Sequence, residues 1–160
     1  MPVADPMREC CYSCYRPITL CLCPTLPTVP NRTEIVVLQH PRERTHPFGS
    51  ARMLTQALRR GSLSLVHRGQ GRRLADVLPL DGGRTALLYP RPDAKDLASI
   101  GEEERPERLV LLDGTWSHAH RLYQDNPWLH TLPHYRLHPT RASRYLVRKE
   151  PKAHCLSTLV

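Results

Sequence analysis

Five of the six cysteines fall between Cys10 and Cys23, in the run Glu9-Cys-Cys-Tyr-Ser-Cys-Tyr-Arg-Pro-Ile-Thr-Leu-Cys-Leu-Cys-Pro24; the sixth is Cys155. Clustered thiols do one of two things: they pair as disulfides in an oxidising compartment, or they bind metal in a reducing one. Residues 1–30 carry Asp5, Arg8, Glu9 and several prolines, a composition that fits no secretory signal, so the reducing case is expected. Cys11-x2-Cys14, six residues, then Cys21-x-Cys23 supplies four thiolates, enough for a closed tetrahedral zinc site. Four thiolates fill the shell, so such a zinc is structural. Cys10 competes with Cys11 for the first position, and unbound or redox-active thiols are the alternative reading.

A second set of residues could do chemistry on a substrate. Leu112-Asp113-Gly114-Thr115-Trp116 places a carboxylate where an apolar run ends, with a glycine that lets backbone approach closely and a helix expected to follow. Leu88-Tyr89-Pro90 ends another apolar run in the same way. The plain structural reading of the first set is a helix cap at Asp113 or Thr115, with Trp116 in the core. His118, His120, His130, His134 and His138 match no standard metal spacing, and neither a GxGxxG nor a GxxxxGK[ST] motif occurs.

The elements that must position these groups follow from local pattern. Residues 1–9 read as a leader and 10–33 as a zinc-stapled segment closed by Pro24, Pro27 and Pro30. Glu34–His40 is a β-branched run stopped by Pro41, hence a buried strand. Ser50 is placed to cap a helix over Ala51–Arg60, with Gly61 as its stop. Further strands are expected at Ser62–His67, Arg84–Pro90, Arg108–Asp113 and, weakly, His134–His138. A helix is expected over Thr115–Tyr123, and residues 91–107 read as a polar loop with a short helix. Strands alternating with helices imply an α/β fold on a mostly parallel sheet. Ligands then bind beyond the carboxyl ends of the strands, where Tyr89 and Asp113 lie.

Composition constrains the partner. Lys+Arg 23 against Asp+Glu 15 gives a net charge of +8, and 20 of those cations are arginine. Arginine grips phosphate through a planar fork and stacks on bases, so a polyanion, most simply nucleic acid, is favoured; an arginine-rich proteome is the bland alternative. Proline at 16 of 160 argues against a long helical bundle. No apolar run is long enough for a membrane helix. The length suits one domain with a small appendage.

Taken in order, Cys11-x2-Cys14-x-Arg16-Pro17-x3-Cys21-x-Cys23, His40-Pro41-x-Glu43, Ser50-Ala51-Arg52, Leu112-Asp113-Gly114-Thr115-Trp116, Arg148-x-Glu150-Pro151 and Leu156-Ser157-Thr158 resemble the DTW-domain family across roughly 10–160. The family commonly has Asn-Thr where this chain has Gly49-Ser50, and it continues past Leu-Ser-Thr into Glu-Ala and a further helix, where this chain reads Leu159-Val160. An incomplete C-terminal wall is therefore one expectation. The resemblance implies a SPOUT-like sheet with flanking helices and a C-terminal knot over 34–160, preceded by the four-cysteine segment in 1–33. It implies transfer of the 3-amino-3-carboxypropyl group of S-adenosylmethionine to N3 of a tRNA uridine, in the cytoplasm, with no role for DNA or membrane. Either a monomer or a homodimer is compatible with it. The implied catalytic residues are Asp113 as base, Thr115 and Trp116. Cofactor contacts are implied at Tyr89, Pro90, Leu112, Asp113, Gly114, Ser157 and Thr158, and substrate contacts at Arg16, Arg44, Arg52, Arg148 and Lys149. A methyltransferase of related fold and a noncatalytic zinc-stapled RNA-binding module are the competing readings.

Overall fold

The computed structural model describes residues 9–46, 49–67, 78 and 84–138. Six strands form one sheet: β1 (Glu34–Gln39), β2 (Gly61–Leu65), β3 (Thr85–Leu88), β4 (Lys95–Asp96), β5 (Arg108–Asp113) and β6 (His134–Arg136). Their order is β2-β1-β5-β3-β6-β4, and every pairing is parallel. Parallel central strands are covered on both faces, which is why β1 and β5 read as nearly continuous apolar runs instead of alternating ones.

Side-chain alternation divides the core in two. Val36, Leu38 and Val110 point to one face and pack with Leu122 of α2 (Trp116–Asp125). Val37, Leu109 and Leu111 point to the other and pack with Ala51 of α1 (Ala51–Ala57). Among the described residues, the sheet is thus a middle layer with α2 on one face and α1 on the other. At the amino ends, Glu34 and Arg108 are directly paired in register and joined by a 2.8 Å ion pair, which pins β1 against β5. A one-residue slip would break that pair and turn both apolar sets inside out.

Three expectations change. The helix from Ala51 stops at Ala57, three residues early, because Leu58 turns extended and the Ala57 carbonyl accepts the Val29 N–H. Residues 91–107 contain a two-residue strand, β4, besides the short 3-10 turn at Glu102–Glu104. Ser50 precedes α1, but its side chain makes no cap hydrogen bond. No helix among the described residues is long and apolar enough to cross a membrane.

Candidate active site

Strand order decides where the site lies. From β1 the chain passes outward to β2, whereas from β5 it passes the other way to β6. Connections leaving in opposite directions open a crevice between the carboxyl ends of β1 and β5, the place where open α/β sheets bind ligands. Gln39 and Asp113 are the last residues of these strands and face each other in register. Gln39 is 1% exposed, and its Nε2 donates to Asp113 Oδ2 at 2.8 Å. Its Oε1 is buried without a hydrogen bond. The chain continues the pairing one step further, the His40 N–H donating to the Asp113 carbonyl.

Asp113 does not cap the following helix. That role belongs to Thr115, whose Oγ1 accepts the His118 N–H at 3.3 Å and also bonds to Ser117 Oγ. Trp116, at the first helical position, is 44% exposed instead of lying in the core. Gly114 is required by close approach: a Cβ there would sit 2.8 Å from His118 Cβ and 3.5 Å from His40 Cβ. Those two imidazoles stack with centroids 4.1 Å apart and planes 2° from parallel. His118 Nδ1 lies 3.5 Å from Glu43 Oε1, a carboxylate only 6% exposed. Burial, then the neighbouring His118, Arg42 and Arg121, hold the His40 pKa below the usual imidazole range, with Glu43 opposing them.

At the end of β3, Tyr89 stacks on Tyr123 at 4.3 Å and its hydroxyl meets His120 Nδ1 at 3.0 Å. Burial, with Tyr123 beside it, raises the Tyr89 pKa. Tyr123 OH in turn meets His134 Nε2 at 3.1 Å and accepts from Arg91 Nη1. Tyr89, Leu112, Asp113 and Gly114 therefore line one sheet edge, on β3 and β5, which are neighbours in the sheet.

The cysteine segment gathers separately. The sulfurs of Cys11, Cys14, Cys21 and Cys23 all lie within 4.8 Å of one another. Cys11–Cys23 and Cys14–Cys21 are each 3.8 Å apart. A tetrahedron with metal–sulfur bonds of about 2.3 Å has edges of about 3.8 Å, so the four sulfurs can hold a metal ion and their spacing is compatible with zinc. Cys10 stays outside, exposed and bridged to Pro17. The N–H groups of Cys14 and Ser13 lower the Cys11 pKa to about 6, while burial pushes Cys23 up to about 12.

Of the arginines expected at substrate, Arg52 rests its guanidinium 4.1 Å over the Tyr15 ring, tying α1 to the cysteine segment. Arg16 is half-buried within that segment, and Arg44 is exposed after the turn at Pro41–Glu43. Arg148, Lys149, Glu150, Ser157, Thr158 and Cys155 lie outside the described residues, as do Arg72, Arg73, Arg141 and Arg144.

Comparison with known proteins places this arrangement. The DTW domain matches residues 8–159. The chain belongs to the DTW-domain family. Among its DTW relatives, a fruit-fly (Drosophila melanogaster) protein named tRNA-uridine aminocarboxypropyltransferase 2 is 39% identical over 98% of this chain and 65% of its own length. A mouse (Mus musculus) protein of the same name is 31% identical over 95% of this chain and 53% of its own. In Arabidopsis thaliana, tRNA-uridine aminocarboxypropyltransferase A is 33% identical over 72% and 50%. The chain thus spans about half to two thirds of the length of these relatives. No solved structure matches it.

Local sequence pattern did not single out Gln39, the His40–His118 stack, Tyr123 or Arg121 beside these groups. Each gains a role only through strand order or helix facing, neither of which is written in a local motif.

Proposed function

We propose that this chain is the α/β unit of a tRNA-uridine aminocarboxypropyltransferase, moving the 3-amino-3-carboxypropyl group of S-adenosylmethionine to N3 of a uridine and releasing methylthioadenosine. The names of its relatives support this, and one observation carries it: a carboxylate at the crevice between β1 and β5, held by a buried amide. The sulfonium supplies an already activated leaving group. Asp113 accepts the N3 proton as the nitrogen forms its bond to the side-chain carbon and the sulfur takes the electron pair of the breaking C–S bond. Gln39 holds carboxylate oxygen Oδ2 and so orients the group at the strand end. Trp116, exposed at the start of α2, offers a flat face on which a splayed-out uridine can stack.

Tyr89, Pro90, Leu112 and Gly114 would hold the co-substrate along the edge of β3 and β5. Thr115 Oγ1 accepts as the helix cap and can still donate its O–H, so Thr115 or Ser157 would meet the methionine carboxylate, with Thr158 beside Ser157 in sequence. The four-cysteine segment in 1–33 would carry a structural zinc, and 34–160 a SPOUT-like domain with a C-terminal knot. The compartment is the cytoplasm, where tRNA and reduced thiols coexist. Incubating tRNA with the protein and S-adenosylmethionine, followed by mass spectrometry of the nucleosides, tests the reading. The expected product is a uridine heavier by one aminocarboxypropyl group, with methylthioadenosine released. S-adenosylhomocysteine instead would make it a methyltransferase, and binding without either product would make it an RNA-binding module.

A further inference from the structure

A cleft of ≈ 240 Å³ opens on the α2 side of the carboxyl edge. Its lining comes from three places: His40, Pro41 and Arg42 after β1, Val66 and His67 after β2, and His118, Arg121, Leu122 and Asp125 of α2 with Asn126 just after it. The stacked His40–His118 pair joins it to the Gly114 turn. Two guanidinium charges against the one carboxylate of Asp125 leave the lining positive even with its three imidazoles neutral. Burial is the main cause of the depressed His40 pKa, with His118, Arg42 and Arg121 adding to it and Glu43 opposing.

The size and chemistry select the occupant. Small-molecule and cofactor sites run to about 300–1,000 Å³ with mainly apolar walls. This cleft is smaller, and only Val66, Leu122 and Pro41 are apolar. It has no wall for an adenine but fits a compact anion held by forked donors. Arg42 and Arg121 are exposed, so a chain passing over the sheet edge can reach them.

We propose that this cleft seats one backbone phosphate of the RNA substrate, gripped by Arg42 and Arg121 together, with His67 and the His40–His118 pair as further donors. The proposal rests on the reading of the chain as a tRNA-modifying enzyme. A phosphate seated here positions the strand without reading its sequence, while Asp113, at the same edge, acts on the base.

The test is the salt dependence of tRNA binding by the full 160-residue chain, compared with Arg42→Ala/Arg121→Ala. Each phosphate neutralised contributes about 0.7–0.9 to the slope of log affinity against log salt. The double variant should bind about tenfold more weakly and lose about one unit of slope. Arg42→Lys/Arg121→Lys, which keeps the charge and loses the fork, should retain the slope while losing part of the affinity. Arg105→Ala, on the opposite edge of the sheet, should change neither. Unchanged affinity and slope in the alanine variant overturn the seat while leaving the tRNA reading intact. A loss of about two units overturns the shared seat, because each arginine then meets a phosphate of its own. If the unaltered protein does not bind tRNA at all, the two readings fall together.

Discussion

Asp113 is the last residue of β5, and its carboxylate receives the Gln39 amide at 2.8 Å. Because Thr115 supplies the helix cap, a substitution at Asp113 tests chemistry and not capping. Asp113→Asn keeps the size and can still accept the Gln39 N–H, but it cannot take a proton at neutral pH. Product formation should fall by about 10²–10⁴-fold, the usual worth of a general base, with tRNA and co-substrate affinities little changed. Loss of co-substrate affinity with turnover intact at saturation would make Asp113 a binding group instead. The place of Asp113 at a strand end was legible in the sequence, because an apolar run that ends in a carboxylate and a glycine is easily seen, while its reading as a base came with the family resemblance. Gln39 was not legible. A glutamine closing a strand has no meaning until β5 is known to lie beside β1, and local pattern does not carry strand order.

The elements show a different division. β1 and β5 were read to within a residue, since β-branched and leucine runs between prolines and charges have few other fates. The end of α1 was misjudged because a tertiary contact overrides helix propensity: Val29 takes the Ala57 carbonyl and draws Leu58 into extended backbone. The result is a helix of seven residues without a side-chain N-cap, too short to persist alone. It is held between the sheet and the cysteine segment, where Arg52 covers Tyr15 and Gln56 Nε2 donates to the Ser13 carbonyl. Tyr15 itself sits at φ 58°, a left-handed conformation that a non-glycine residue keeps only when its surroundings hold it. The cysteine cluster should therefore stabilise α1 as well as itself. Purified, reduced protein should carry about one zinc per chain, and a strong chelator should speed hydrogen exchange at the amides of α1 while β5 stays protected. Cys14→Ser removes a buried candidate ligand and should weaken zinc binding by more than about 10–100-fold, the usual cost of losing a group that only orients a ligand. Exchange in α1 that ignores metal removal would show that the segment and the helix are independent.

Across the whole molecule, two histidines, one stacked on His118 and one bonded to Tyr123, have their pKa values lowered by their surroundings, and this ties stability to pH. Burial lowers the His40 pKa, aided by His118, Arg42 and Arg121 and opposed by Glu43. Burial also lowers the His134 pKa, aided by Arg91 and His130 and opposed by the Leu132 backbone and Asp93. In the unfolded chain both return to about 6.5. Below that value the unfolded state binds more protons than the folded one, so acid favours unfolding. Stability should be full above pH 7 and should decline as pH falls through 6.5, levelling once the folded histidines protonate. The carboxylates act elsewhere: Asp96, held low by the Ala98 N–H and then by His138, loses its contribution only below 3.8. Urea midpoints at pH 7.5 and 5.5 isolate the histidine window. An anion in the cleft between Arg42 and Arg121 would favour the protonated form of His40. Saturating tRNA should therefore recover the part of the acid loss that belongs to His40 and leave the part that belongs to His134. His134→Gln should remove that remainder, and equal midpoints at the two pH values without tRNA would show that neither imidazole is held neutral by the fold.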